Sequence, residues 1–213
     1  MAMGTNILVT TEDDATPFVL MVAALLRRAA DARGWAKTVA GLEGVYSYRS
    51  PNNNGAATIR FAKGQVRVER GVSRDTETVV INDLNRILDP NTRKPQVKGS
   101  RRLSVTAGKV LESAADTWQE GAELFWPAMF ADPDVPRPVL VTATDTQESD
   151  SFGPNEPAVL ELRGPSYRLA ALFTGLTWLG AELRQGDIGV IGSATAVAAL
   201  SHRSLAWTLG EQA

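Results

Sequence analysis

The chain of 213 residues contains no cysteine and only one histidine, His202. The absence of cysteine excludes disulfides and thiolate metal sites, and a single histidine excludes a multi-histidine metal site. A Ser/His/Asp triad would have to use His202, but the sequence has no G-x-S-x-G nucleophile elbow. We therefore expect no catalytic residue, no metal site and no cofactor, and we interpret His202 as a surface or satisfied core residue.

Long apolar runs and a strong charge bias are also lacking. No run approaches the ~18 apolar residues of a membrane span, and no basic-then-apolar leader opens the chain. Hydrophobic residues make up 44% and charged residues 22% of the chain, as in a soluble globular protein. The formal net charge of -2 gives no general attraction to nucleic acid. Together with the lack of cysteine, these features favour a cytoplasmic protein that does not bind nucleic acid.

One basic segment departs from this balance. It runs from Arg86 to Lys109 and carries seven positive residues against one acidic residue, Asp89. The positive residues are Arg86, Arg93, Lys94, Lys98, Arg101, Arg102 and Lys109. Such a segment fits transient contact with an anionic membrane surface. A solvated face, or an intramolecular partner for the acidic helix that follows, is the competing interpretation.

Apolar periodicity predicts the elements of the first half. An amphipathic helix begins at Thr16-Pro17 and ends before Gly34, which defines an N-terminal helix region over residues 1–34. Residues 44–81 alternate between apolar and polar side chains and predict an antiparallel strand meander. A long helix then carries an apolar stripe. The stripe consists of Leu111, Ala114, Ala115, Trp118, Ala122, Phe125 and Met129.

These elements suggest two sheet-plus-helix units, residues 35–130 and residues 138–213, either as separate domains or packed as one domain. The proline-rich residues 131–137 are the predicted linker. A strand is expected over residues 138–143 and a polar loop over residues 144–157. The Trp118 stripe is interpreted as core or, alternatively, as the surface of a homodimer.

The sequence predicts the order of elements most clearly in the C-terminal stretch, residues 158–210. A strand around Leu160 ends at Gly164-Pro165, and an apolar helical pattern starts at Leu169. Glycines at positions 175 and 180 are expected to split this pattern into two short helices. A brief strand at residues 188–191 leads to Ser193, the predicted N-cap of a last helix that ends at about Ser201.

This order of elements resembles the sterol carrier protein family. The residues that carry the resemblance are Leu169, Leu172, Phe173, Thr174, Gly175, Gly186, Ile188, Val190, Gly192 and Leu200. The resemblance implies an α+β fold in which helices cover a mixed, largely antiparallel sheet, and an apolar tunnel that holds a lipid. By family position and apolarity, the expected tunnel wall is Leu169, Leu172, Phe173, Leu176, Trp178, Leu179, Leu183 and Trp207.

The resemblance implies non-enzymatic binding or carriage of a fatty acyl chain, a sterol or a similar lipid. The first half contains a related signal, because residues 97–100 (V-K-G-S) are similar to residues 190–193 (V-I-G-S) and both precede a helix. This similarity suggests a duplicated fold. Two alternatives are an interaction module that dimerises and an accessory domain of an enzyme. Similar domains end mycothiol-dependent isomerases, but the N-terminal half here has no histidine for that chemistry.

Overall fold

A computed structural model describes residues 7–32, 36–51, 54–83, 88–89, 91, 94–100, 104–108 and 117–211. The chain divides into two compact units. The first consists of Met1–Ile87 and Asn91–Ala114, and the second consists of Leu88–Pro90 and Ala115–Ala213. Each unit has its own mixed sheet with helices, which confirms the predicted α+β class.

The first unit is built around a six-stranded sheet. Its elements are β1 (Leu8–Thr11), α1 (Pro17–Ala32), α2 (Ala36–Ala40), β2 (Gly44–Arg49), β3 (Ala56–Ala62), β4 (Gln65–Arg70), β5 (Thr78–Ile81) and β6 (Gln96–Gly99), and residues 104–108 are also helical. The strand order is β1-β4-β3-β2-β5-β6, in which the β2-β3-β4 meander is antiparallel as predicted. The parallel pairs β1/β4 and β2/β5 make the sheet mixed.

The second unit has a four-stranded sheet of order β10-β9-β7-β8. Its elements are α3 (Trp118–Met129), β7 (Val139–Ala143), β8 (Glu148–Phe152), β9 (Leu160–Gly164), α4 (Ser166–Thr174), α5 (Leu179–Gln185), β10 (Gly189–Ile191) and α6 (Ala194–Leu209). Gly175 ends α4 with a left-handed backbone (φ 74°), so the predicted split of the helical pattern is confirmed. The hydroxyl of Ser193 accepts a hydrogen bond from the Ala196 amide at 3.2 Å, as expected of an N-cap.

Three sequence predictions differ from this structure. The polar loop expected over residues 144–157 contains the strand β8. The last helix continues past Ser201 to Leu209. Helix α3 and residues 131–137, expected at the end of the first unit and in a linker, belong to the second unit, where Val135 is only 1% exposed. The apolar face of α3 is buried in this core, where the helix contacts α4 and α6, and this is why it lies with the second unit.

The two units repeat one arrangement of four strands. In the first unit it is β3-β2-β5-β6, and in the second it is β8-β7-β9-β10. In both, the middle two strands are parallel and each outer strand is antiparallel to its neighbour. In both, a Gly-Ser pair lies at the end of the last strand and precedes helical residues, although Gly99 is still part of β6 whereas Gly192 follows β10. The predicted internal repeat therefore corresponds to a shared strand topology.

Candidate functional site

The core of the second unit contains seven aromatic side chains in continuous contact, which we call the aromatic cluster. Neighbouring ring centroids in this cluster lie 5.1 to 6.5 Å apart. The members are Trp118, Phe125, Trp126, Phe130, Phe152, Phe173 and Trp207. Helical spacing places Trp118, Phe125 and Trp126 on the buried side of α3. The other rings come from the C-cap of α3, the end of β8, and helices α4 and α6.

The cluster extends from the interior of the unit to its surface. Phe125 and Phe173 are fully buried, and their ring centroids are 5.1 Å apart. Trp126 stacks on Phe130 at 5.3 Å and on Phe152 at 5.5 Å, and these two phenylalanines are half-buried. An apolar ligand that contacts Phe130 and Phe152 at the surface would thus meet a continuous aromatic path inward.

The indole N–H groups of the cluster differ in their hydrogen bonding. The N–H of Trp207 donates to the carbonyl of Phe173 at 3.0 Å. The N–H groups of Trp118 and Trp126 have no acceptor among the residues that the structure describes, although each side chain is only 2% exposed. A buried donor without an acceptor costs about 1–3 kcal/mol, so an oxygen atom brought in by a ligand or water would be stabilised there.

The exposed residue Arg137 lies at the surface end of the cluster. Its guanidinium carbon is 5.3 Å from the centroid of the Phe130 ring, and its Nη2 donates to the Phe130 carbonyl at 3.1 Å. A Cβ added at Gly153, the residue after Phe152, would lie 3.2 Å from the Arg137 Cβ. Within the described part of the chain, Arg137 forms no ion pair. A positive charge therefore adjoins the half-buried rings without a neutralising carboxylate.

A separate buried polar cluster fixes helix α4 against α5. The guanidinium of Arg168 donates through Nε to Glu182 at 2.7 Å and through Nη2 to the second oxygen of Glu182. The Thr177 hydroxyl donates to Glu182 at 2.7 Å, and Asp187 lies 3.3 Å from the Arg168 Nη2. The ion pair is almost fully buried and internally satisfied, so its evident role is to position the two helices.

The start of α4 is held by a second carboxylate. Asp145 accepts hydrogen bonds from the amide of Ser166 at 2.8 Å and from its hydroxyl at 2.7 Å. Partial burial alone would raise the pKa of Asp145, but these hydrogen bonds outweigh it and lower the pKa. The turn between β7 and β8 thereby fixes the first residue of α4.

The predicted wall residues fall into two groups. Five are fully buried: Leu169, Leu172, Phe173, Leu176 and Leu179. Three are half-buried: Trp178, Leu183 and Trp207. Six of the eight belong to or contact the core that contains the aromatic cluster, namely Leu169, Leu172, Phe173, Leu179, Leu183 and Trp207. Their role as a ligand wall stays a prediction.

Sequence reasoning overlooked Trp126, Phe130, Phe152 and Arg137. Trp126 follows Ala122 at helical spacing, so an extended stripe would have included it. The other three come together only through tertiary structure.

Two other predicted features have different outcomes. The Trp118 stripe is buried in the core of its own unit at Trp118, Ala122, Phe125 and Met129, so it is not available as the surface of a homodimer. In the basic segment, Lys94 and Lys98 are exposed. Its other positive residues, Arg86, Arg93, Arg101, Arg102 and Lys109, lie outside the described residues.

The remaining chemistry is sparse. His202 is exposed on α6. Over the ranges described, no group of three or more His, Cys, Asp or Glu side chains is placed to hold a metal ion. None of the helices in those ranges has both the length and the apolarity needed to cross a membrane.

A comparison with solved structures shows a distant structural likeness. A solved chain titled "UbiJ-SCP2 Ubiquinone synthesis protein" is 16% identical in sequence, with a TM-score of 0.35. The alignment covers 48% of this chain and 96% of that chain. No family model and no curated protein matches the sequence. The α+β class follows from the strand order itself, and membership of the sterol carrier family stays a prediction.

Proposed function

We propose that the second unit binds an apolar ligand, such as a fatty acyl chain, a sterol or a similar lipid, and carries it without chemical conversion. The observation that carries this proposal is the pair of buried indole N–H groups, of Trp118 and Trp126, that have no acceptor among the described residues. A core that is filled by protein alone normally pairs such donors. An oxygen of a bound ligand would supply the acceptor.

Burial of hydrocarbon would provide most of the affinity, at ~0.8 kcal/mol for each CH₂ group. The aromatic cluster offers this environment and reaches the surface at Phe130 and Phe152. Because its inner rings contact one another, ligand uptake requires them to separate. Uptake would therefore be slower than diffusion and would depend on opening of the unit.

The test follows the indole N–H signals in ¹H–¹⁵N NMR spectra of the whole chain, with palmitic acid and cholesterol as separate probes. We expect the Trp118 and Trp126 N–H protons to shift downfield when a probe binds, because they gain an acceptor. The Trp207 N–H is the internal control, since it already donates to the Phe173 carbonyl. Signals are assigned with Trp118→Phe, Trp126→Phe and Trp207→Phe.

Native mass spectrometry of the protein purified from its own host provides a second measurement. A stoichiometric lipid in the spectrum would support carriage and identify the ligand class. If the protein carries no lipid and none of the indole signals responds to saturating palmitic acid or cholesterol, the proposal is wrong.

A further inference from the structure

We infer that the ligand of the second unit is a long-chain carboxylic acid whose carboxylate binds Arg137, with its chain against Phe130 and Phe152. This inference rests on the proposed function and specifies its ligand. It starts from the exposed charge of Arg137, which adjoins the aromatic cluster at Phe130. The guanidinium lies over the Phe130 ring, 5.3 Å from the centroid.

Arg137 is held in place but not neutralised. The hydrogen bond from Nη2 to the Phe130 carbonyl, at 3.1 Å, restricts its side chain. A guanidinium has five N–H donors in a planar fork, and only one described donor is engaged here. In the described ranges, no carboxylate lies within 4.0 Å of it. The free side of the fork matches the two oxygens of a carboxylate.

The rings next to Arg137 provide the apolar half of the site. Phe130 contacts both Arg137 and Trp126, and Trp126 in turn contacts Phe152. A carboxylate bound at Arg137 therefore places the first carbons of its chain beside two half-buried phenylalanines. Trp126, with its unpaired buried N–H, lies directly beneath them. Charge at the surface and apolar rings below are complementary to an amphiphile with a small anionic head.

A single guanidinium fits a single carboxylate better than a phospholipid head group, which is larger and usually meets several cations. Of the four other arginines described in this unit, Arg163 pairs with Glu161 and Arg168 pairs with Glu182. The remaining two of these described arginines, Arg184 and Arg203, have no ring contact like that of Arg137 with Phe130. The sterol alternative has no charged group for Arg137 to bind. A long-chain acid is therefore the ligand that would use both the charge of Arg137 and the apolar rings beside it.

The experiment compares palmitic acid with hexadecan-1-ol, which has the same chain length and no charge. Binding of both is measured by isothermal titration calorimetry with the wild-type chain, Arg137→Gln and Arg137→Lys. Arg163→Gln is the matched control, because Arg163 is also exposed but is already paired with Glu161 at 2.7 Å. Each titration is repeated at low and high salt.

We expect the wild type to bind the acid roughly tenfold more tightly than the alcohol, a difference that corresponds to ~1.4 kcal/mol. Arg137→Gln should remove this preference, Arg137→Lys should keep part of it, and Arg163→Gln should leave it unchanged. High salt should reduce the preference for the acid, because the carboxylate is bound at an exposed charge.

The outcomes separate this inference from the proposed function. If the wild type binds neither probe, this inference fails, and a titration with cholesterol then decides whether the proposed function fails with it. If the wild type binds acid and alcohol equally, or if Arg137→Gln retains the preference, the head-group assignment is overturned while lipid binding stands. Should Arg137→Gln not fold, the wild type decides, since a preference that is insensitive to salt also overturns the assignment.

Discussion

The buried ion pair between Arg168 and Glu182 allows a sharp prediction of stability. The side chains are 1% and 0% exposed, and the guanidinium makes two hydrogen bonds to the carboxylate. In Arg168→Met, Glu182 would keep only the hydroxyl of Thr177 among the partners described here, at 2.7 Å. An uncompensated buried charge of this kind costs about 3–5 kcal/mol, so we expect that loss in the free energy of unfolding.

The reciprocal variant should be milder. In Glu182→Leu, Arg168 retains Asp187, which lies 3.3 Å away and is 30% exposed. The cost should be lower than that of Arg168→Met by roughly 1 kcal/mol or more, the order of one charge-assisted hydrogen bond. The double variant, Arg168→Met with Glu182→Leu, removes both charges and should recover most of the loss, since buried pairs are often replaceable by apolar residues.

Urea unfolding followed by tryptophan fluorescence measures these effects. Four of the five tryptophans, Trp118, Trp126, Trp178 and Trp207, lie in the second unit, so the signal reports mainly on that unit. The reasoning is refuted if Arg168→Met costs less than ~1 kcal/mol. It is also refuted if the double variant is as unstable as the sum of the single variants, because the two charges would then be independent.

Two further predictions concern helices α4 and α5. Gly180→Ala should destabilise the protein by ~1–3 kcal/mol, although a Gly→Ala change within a helix usually stabilises. The new Cβ would lie 2.1 Å from a Trp178 ring atom and 2.8 Å from the Ser201 hydroxyl. A melting temperature that is higher in Gly180→Ala than in the wild type would contradict this packing. Asp145 has a lowered pKa in the folded state. Its contribution to the free energy of unfolding is therefore fully present above the unfolded pKa of ~3.9 and is lost as pH falls through the folded pKa. Asp145→Asn should flatten the pH dependence of stability below about pH 4, and an unchanged acid profile would show that the contacts with Ser166 contribute nothing.

Local signals in the sequence predicted local structure well. Gly175 ends α4 because glycine adopts the left-handed backbone without strain, and the hydroxyl of Ser193 caps α6. Strand β8 was missed for a physical reason. Its sequence, E-S-D-S-F, carries polar side chains on both faces, since β8 is an edge strand exposed along most of its length. Apolar alternation is absent from such a strand, and only its pairing with β7 reveals it.

The site was harder to predict than the fold. An apolar stripe on α3 indicates burial but does not identify the surface that covers it, so the helix was assigned to the wrong side of the boundary between units. Of the predicted wall residues on α4 and α5, Leu169, Leu172, Phe173 and Leu179 are buried and Leu183 is half-buried, and their role as a ligand wall stays a prediction. The surface end of the aromatic cluster joins Phe130, Arg137 and Phe152, which come from a helix cap, a proline-rich segment and an edge strand. No spacing rule connects three such places.

The repeated strand arrangement does not by itself duplicate the proposed site. Both units share the parallel central pair. In the second unit, residues 165–188 connect the central strand β9 to the edge strand β10 and include α4 and α5. These helices supply Phe173, Arg168 and Glu182, whereas the first unit has only residues 82–95 between the corresponding strands β5 and β6. Every group that we assign to the ligand belongs to the second unit. Titration of the whole chain with palmitic acid should therefore saturate at one molecule per chain. Saturation at two would mean that the shared strand topology, and not the aromatic cluster, defines the binding site.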